Sequence, residues 1–198
     1  MSATDRQQYI YEKAEVVNDT EGFSIDVLAS ITELELYENI NKIGVTGKVL
    51  IVDSMNLFNT INFTGTEIFN LEISAGTLGT SIKKSFVMNK IEGSSVSNET
   101  TTAYVFTLIE QHVFKSHLQK ISKAYTGTPI EIINNILTGF LDVQLDKSLL
   151  NGDEPTQEPM TVVTPYISPQ DAIAWIRNRS TTEEGYPYYV YGTLRSDD

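Results

Sequence analysis

The feature that most constrains this chain is a change of period. Up to residue 110 apolar residues tend to alternate with polar ones, and from residue 111 they return at helical spacing. Seven segments in the first part carry strand signals. They are Tyr9 to Val17, Phe23 to Ala29, Ile31 to Ile40, Val45 to Asp53, Thr66 to Ser74, Ile82 to Glu92 and Thr101 to Glu110. Val45 to Asp53 is apolar enough to suggest burial on both faces, whereas Ile68, Asn70, Glu72 and Ser74 mark one face of their strand. The polar run Gly93 to Glu99 predicts a hairpin with a long, soft tip. Strands at this spacing predict an antiparallel barrel or sandwich over residues 1–110.

Residues 111–198 predict a small mixed α/β module, so the chain as a whole reads as α+β. Val113, Phe114, His117 and Leu118 fall at helical spacing. Thr128-Pro129-Ile130-Glu131 then combines a hydroxyl N-cap, a proline at N1, where no backbone donor is lost, and an acid at N3. The helix it starts, near residues 128–138, should bury Ile130, Ile133, Leu137 and Phe140. Ser168-Pro169-Gln170-Asp171 repeats the device for a helix near 168–179, with Ala172, Ile173, Trp175 and Ile176 as its buried face. Trp175 reads as a core residue or, if exposed, as an anchor for a partner. Between the helices lie an exposed loop, Asn151 to Pro155, and an apolar stretch, Met160 to Tyr166. The end, Tyr186 to Leu194, reads as a further strand.

Charge and composition exclude several functions. The formal net charge is −12, from 26 acidic and 14 basic residues. Such a chain repels phosphate backbones, so sequence-specific nucleic-acid binding is not expected. The densest basic stretch is Lys115, Lys120 and Lys123. With no cysteine there is no disulfide, thiolate metal site or cysteine nucleophile, which suits a reducing compartment. No signal peptide is legible at the N-terminus, and no apolar run reaches the roughly 18 residues of a membrane span. The expectation is a protein made in the cytoplasm without membrane insertion. The Asn-x-Ser/Thr matches at Asn18, Asn62, Asn98 and Asn178 then read as chance.

A search for active-site chemistry ends without a constellation. His112 and His117 would stand about 140° apart on a helix and could not share a metal ion. No G-x-S-x-G elbow accompanies either. Gly76 to Ser81 lacks the glycine-lysine pair of a phosphate loop, and Gly44-Val45-Thr46-Gly47-Lys48 lacks its spacing. Glu183-Glu184 reads as a solvated loop, and Asn151 to Glu154 falls short of a calcium loop. No catalytic, cofactor-binding or metal-ligating residue is expected, and the chain reads as a non-enzyme.

Two stretches resemble a known family. Leu36 to Ile40 leads through Gly47 to Asp53, an Asn56-Leu57 turn, and Gly65-Thr66-Glu67 into the next strand. Ile121 to Pro129 with its helix is followed by Tyr166 to Ile173. In this order, with a hairpin between them, they resemble the N-terminal part of the central baseplate hub proteins of contractile, T4-like phage tails. The hub region of type VI secretion spike proteins is similar. The resemblance implies a tail-tube-like barrel followed by a small helical module, and a homotrimeric ring between tail tube and central spike. Its partners would be further copies of itself, the tube protein, the spike protein and other baseplate proteins, with DNA passing through the ring. It implies a place in the virion. Hubs of this family are longer, with a second barrel after the helical module, so this sequence is expected to be a portion of such a hub. The alternative is a carbohydrate-binding or carbohydrate-acting β-rich tail protein, suggested by the ten tyrosines and the many acids.

Overall fold

The computed structural model describes residues 9–54, 58, 61, 63–75, 80–98, 101–146, 158–181 and 185–194. The runs Met1 to Gln8, Met55 to Leu57, Gly76 to Gly79, Asn151 to Pro155, Glu183-Glu184 and Arg195 to Asp198, together with Asn62, lie outside them. The class is α+β. The chain divides into two compact units, one of residues 1–38, 45–111 and 193–198, the other of residues 39–44 and 112–192.

The first unit is a curled antiparallel half-barrel of seven strands. They are β1 (Tyr9–Asn18), β2 (Phe23–Asp26), β3 (Ile31–Tyr37), β4 (Thr46–Asp53), β5 (Ile68–Ala75), β6 (Thr80–Asn98) and β7 (Thr101–Glu110). Their order across the sheet is β2-β1-β5-β6-β7-β4-β3, every neighbour antiparallel. Among the described residues no pairing joins β2 to β3, so the sheet ends in two open edges.

Period-two burial builds the core. Phe69, Leu71 and Ile73 of β5 point inward beside Phe86 and Met88 of β6, Phe106 and Leu108 of β7, and Val49 and Ile51 of β4. Burying each such side chain contributes about 1.5–3 kcal/mol. Phe58, Phe63, Tyr104 and Phe106 close one end with ring centroids 5.2–6.0 Å apart. Register shifts on β1, β3 and β6 mark bulges, which bend a strand and increase its twist.

Three strand expectations need correction. β4 is not buried on both faces: Gly47, Val49, Ile51 and Asp53 are buried and the residues between them half-buried, because the core covers one side of the sheet. The segment from Phe23 is a strand only to Asp26, then a 3-10 turn at Leu28–Ser30, where the Asp26 carboxylate accepts the Leu28 N–H at 2.9 Å. The soft hairpin tip is largely strand, since β6 stays paired with β7 from Gly93↔Val105 to Asn98↔Thr101. Three bulges on β6 absorb its poor strand formers without breaking the pairing.

Among the described residues the second unit holds three helices and a two-stranded sheet, with Ile121, Tyr125, Ile132, Ile136, Leu141 and Ile173 in its core. The helices are α1 (Gln111–His117), α2 (Pro129–Ile136) and α3 (Pro169–Arg177), and β8 (Ala124–Gly127) pairs antiparallel with β9 (Met160–Val163). Thr128 and Glu131 form a reciprocal box at the start of α2. The Glu131 N–H donates to the Thr128 hydroxyl at 3.4 Å, and the Thr128 N–H donates to the Glu131 carboxylate at 2.8 Å. Ser168 caps α3, accepting the Asp171 N–H at 3.1 Å and donating to the Asp171 carboxylate at 2.7 Å.

The apolar stripes match the expected ones in part: Ile133 and Leu137 are buried as expected, and their neighbours differ. α2 buries Ile132, Ile133 and Ile136, while Ile130 is half-buried. A π turn at Leu137–Leu141 delays the next inward position, so Leu141 enters the core and Phe140 stays at its margin. In α1 the buried residues are Val113 and Ser116, with His117 and Leu118 exposed. The terminal stretch is not a strand: it makes one isolated bridge, Thr181↔Pro187, and proline has no N–H to extend it.

Candidate functional site

The described residues hold no group of three side chains that could bind a metal ion. His112 lies 2.8 Å from the Ile43 carbonyl through its Nε2, while His117 is exposed, so the two histidines serve different surroundings. A cavity of about 330 Å³ in the second unit is lined by Lys42, Gln170, Asp171 and Arg177 among others. Buried carboxylates and exposed surfaces stand out among the described residues.

Buried carboxylates pin the half-barrel, and two of them belong to the motif Gly47…Asp53…Glu67. Glu67 is fully buried. Its Oε1 accepts the Thr64 N–H and hydroxyl at 2.8 Å each and the Asn18 amide at 2.9 Å, and its Oε2 accepts the Gly65 N–H at 2.8 Å. Burial pushes this carboxyl up. Hydrogen bonds from Thr64, from its own backbone and from Asn18 more than offset that and hold it below its ordinary value. Asp53 accepts the Phe58 N–H at 2.9 Å, which ties the end of β4 to the aromatic cluster. At Gly47 a Cβ would stand 2.5 Å from the Glu35 carbonyl, so glycine is what lets β3 and β4 approach. Glu110 accepts the Val45 N–H at 2.6 Å and pairs with Lys84 at 3.0 Å.

Three exposed surfaces stand out among the described residues. Among the described residues β3 has one side unpaired, and it turns Glu33, Glu35 and Tyr37 to solvent, with the Tyr37 hydroxyl donating to Glu35. Beyond Met88, whose N–H still reaches the Glu67 carbonyl at 2.9 Å, β6 is paired among the described residues on its β7 side only, and Ile91 and Val96 stand exposed there. In the second unit Ala124, Thr126, Thr161 and Val163 form the outer face of the β8–β9 ribbon, near Tyr166.

The residues singled out in the sequence fall in the second unit. Thr128, Pro129, Glu131, Ser168, Pro169 and Asp171 sit at the two helix starts, and Asp171 also lines the cavity. Trp175 is half-buried rather than core: Ile173 and Ile176 take the inner face of α3, and the Arg179 guanidinium lies 3.9 Å from the indole centroid. The network around Asn18 and Glu67 is not visible as such in the sequence, although Gly65-Thr66-Glu67 lies in a stretch that carries the family resemblance.

No family model matches the sequence, and no curated protein matches it. Among solved structures the fold is similar to that of the prophage MuSo2 43 kDa tail protein from Shewanella oneidensis, with a TM-score of 0.55 and 10% sequence identity. The likeness covers 91% of this chain and 53% of that one, so this chain spans about half the length of its structural neighbour. At this identity the two share a fold.

Proposed function

We propose that this chain is a structural component of a phage tail, and within it the N-terminal portion of a baseplate hub. The observation that carries the reading is the fold shared over 91% of the chain with a protein described as a prophage tail protein. Three copies form a ring on the tail axis, with a tail-tube-like barrel in each copy, joining the tube above to the central spike below. The hub region of type VI secretion spikes is the related architecture. The chain acts by assembly and not by catalysis, and it belongs to the virion.

Two physical features support the ring. Open strand edges are a liability in a monomer and are satisfied by pairing with neighbouring subunits. A net charge of −12 suits a conduit that DNA crosses without binding. The test is solution mass by light scattering over a concentration series, together with binding to the tube and spike proteins of the same tail. A trimer that binds either partner is expected. A chain that stays monomeric and binds neither removes the reading.

A carbohydrate-binding role is the second reading, favoured by one observation: Tyr186, Tyr189 and Tyr191 are all exposed on a single segment. Calorimetric titration with host-surface glycans decides it, and no heat of binding would end it.

A further inference from the structure

We infer that copies of this chain meet head to tail, the β3 edge of one lying against the lysine-rimmed β8–β9 ribbon of the next. The inference rests on the self-assembly proposed above and names the surfaces that carry it.

The β3 edge excludes its own kind. Among the described residues its outer side is unpaired, and Glu33 and Glu35 are exposed along it beside Tyr37. Two such edges brought together would set carboxylates against carboxylates, which destabilises a strand pair. A symmetric contact through β3 is therefore disfavoured, and the edge calls for a basic partner with room for an aromatic ring.

The β8–β9 ribbon supplies that chemistry. Its outer face, Ala124, Thr126, Thr161 and Val163, is uncharged, and Val163 is 61% exposed. Tyr166 stands near it, 65% exposed and held at φ 53, a conformation uncommon for a bulky residue. Lys120 Nζ lies 5.5 Å from the exposed Tyr166 ring centroid, and Lys123, exposed just before β8, has its Nζ 5.4 Å from the ring of Tyr125, whose side chain turns to the buried face of the ribbon. Neither lysine has a carboxylate partner among the described residues, whereas Lys115 in the same basic stretch is neutralised by Asp142 at 2.6 Å. An apolar centre with a positive rim thus stands on a chain of net charge −12, where a further copy is an acidic partner. Because the two surfaces differ, the contact is heterologous and repeats from copy to copy, as a ring requires.

Charge reversal tests this on the full chain. Glu33→Lys with Glu35→Lys, and separately Lys120→Glu with Lys123→Glu, should each raise the concentration for half-association about tenfold or more. All four changes in one chain should restore association to near the wild-type level, with circular dichroism confirming that each variant is folded. A mixture of Glu35→Cys and Lys123→Cys chains should form a disulfide-linked pair that neither forms alone, readable because the native sequence has no cysteine. If the wild type associates and the reversals leave it unchanged, or the four-fold variant fails to recover, or the mixed cysteines do not cross-link, this interface is overturned while the assembly reading stands. A wild type that is monomeric at every concentration overturns this interface and the homotrimer together.

Discussion

The side-chain amide of Asn18, at the end of β1, donates to the buried carboxylate of Glu67, just before β5, at 2.9 Å. The Asn18 carbonyl oxygen meanwhile accepts the N–H groups of Thr20 and Glu21 at 3.0 Å each. One side chain thus shapes the β1–β2 turn and is held by the lead-in to β5. Replacing Glu67 by Gln puts an amide donor among groups that themselves donate. We expect Glu67→Gln to cost about 2–3 kcal/mol, measured by urea unfolding, with Glu67→Asp failing to reach all the donors.

The same carboxylate fixes the sign of a pH dependence. Its folded-state pKa lies below its ordinary value, so its contribution is present above the unfolded pKa and is lost as pH falls through the folded one. Stability measured from neutral pH downward should therefore decline on the acid side, and Glu67→Gln should flatten that decline. An unchanged slope in the variant would contradict the assignment.

Gly47→Ala should separate β3 from β4. The new methyl would meet the Glu35 carbonyl at 2.5 Å and the Leu36 side chain at 2.8 Å, and backbone cannot yield as a flexible side chain does. A loss of about 1–3 kcal/mol is expected, with amide exchange rising first along β3.

Lys84 and Glu110 form an ion pair with both side chains largely covered. Lys84→Met should cost about 3 kcal/mol, because it strands a carboxylate in a site of restricted solvation. Adding Glu110→Gln should recover part of that loss, and the double-mutant cycle should show strong coupling. Independent, additive effects would mean that the pair is not held as described.

Thr128→Ala and Ser168→Ala should each destabilise the second unit by about 1 kcal/mol, while Thr128→Ser retains the cap. Thermal melts of the two variants and their combination provide the measurement.

The helix starts were legible because each is written within four consecutive residues: a hydroxyl, a proline and an acid define geometry without reference to the rest of the chain. The strand faces were legible for the same reason, since Ile68, Asn70, Glu72 and Ser74 separate from Phe69, Leu71 and Ile73 by period alone. What escaped depends on distant partners. Asn18 and Glu67 are separated by 49 positions, and each alone looks like an ordinary surface residue. The π turn over Leu137–Leu141 moves the inward position after Leu137 from Phe140 to Leu141, which a regular helical period cannot anticipate. In the terminal segment the alternation of Tyr189, Val190 and Tyr191 imitates a strand, yet the chain offers that segment no continuous ladder. The ribbon face was not legible because Thr126, Thr161 and Val163 have ordinary strand composition; only their pairing reveals that they share one exposed side among the described residues.

The pairing of β4 with β7 has a consequence for how the molecule is made. β3 and β4 can close into a hairpin as soon as both have left the ribosome, but Asp53 must wait for Thr102, and Thr46 for Ile109. At roughly 5–20 residues per second, synthesis leaves the second edge of β4 without a partner for several seconds. During that interval Val49 and Ile51 lack Phe106 and Leu108, and nascent chains on one message can find one another first. The order of strands in the finished sheet therefore makes the yield of folded protein sensitive to translation speed between β4 and β7 and to the chaperones that shield that stretch.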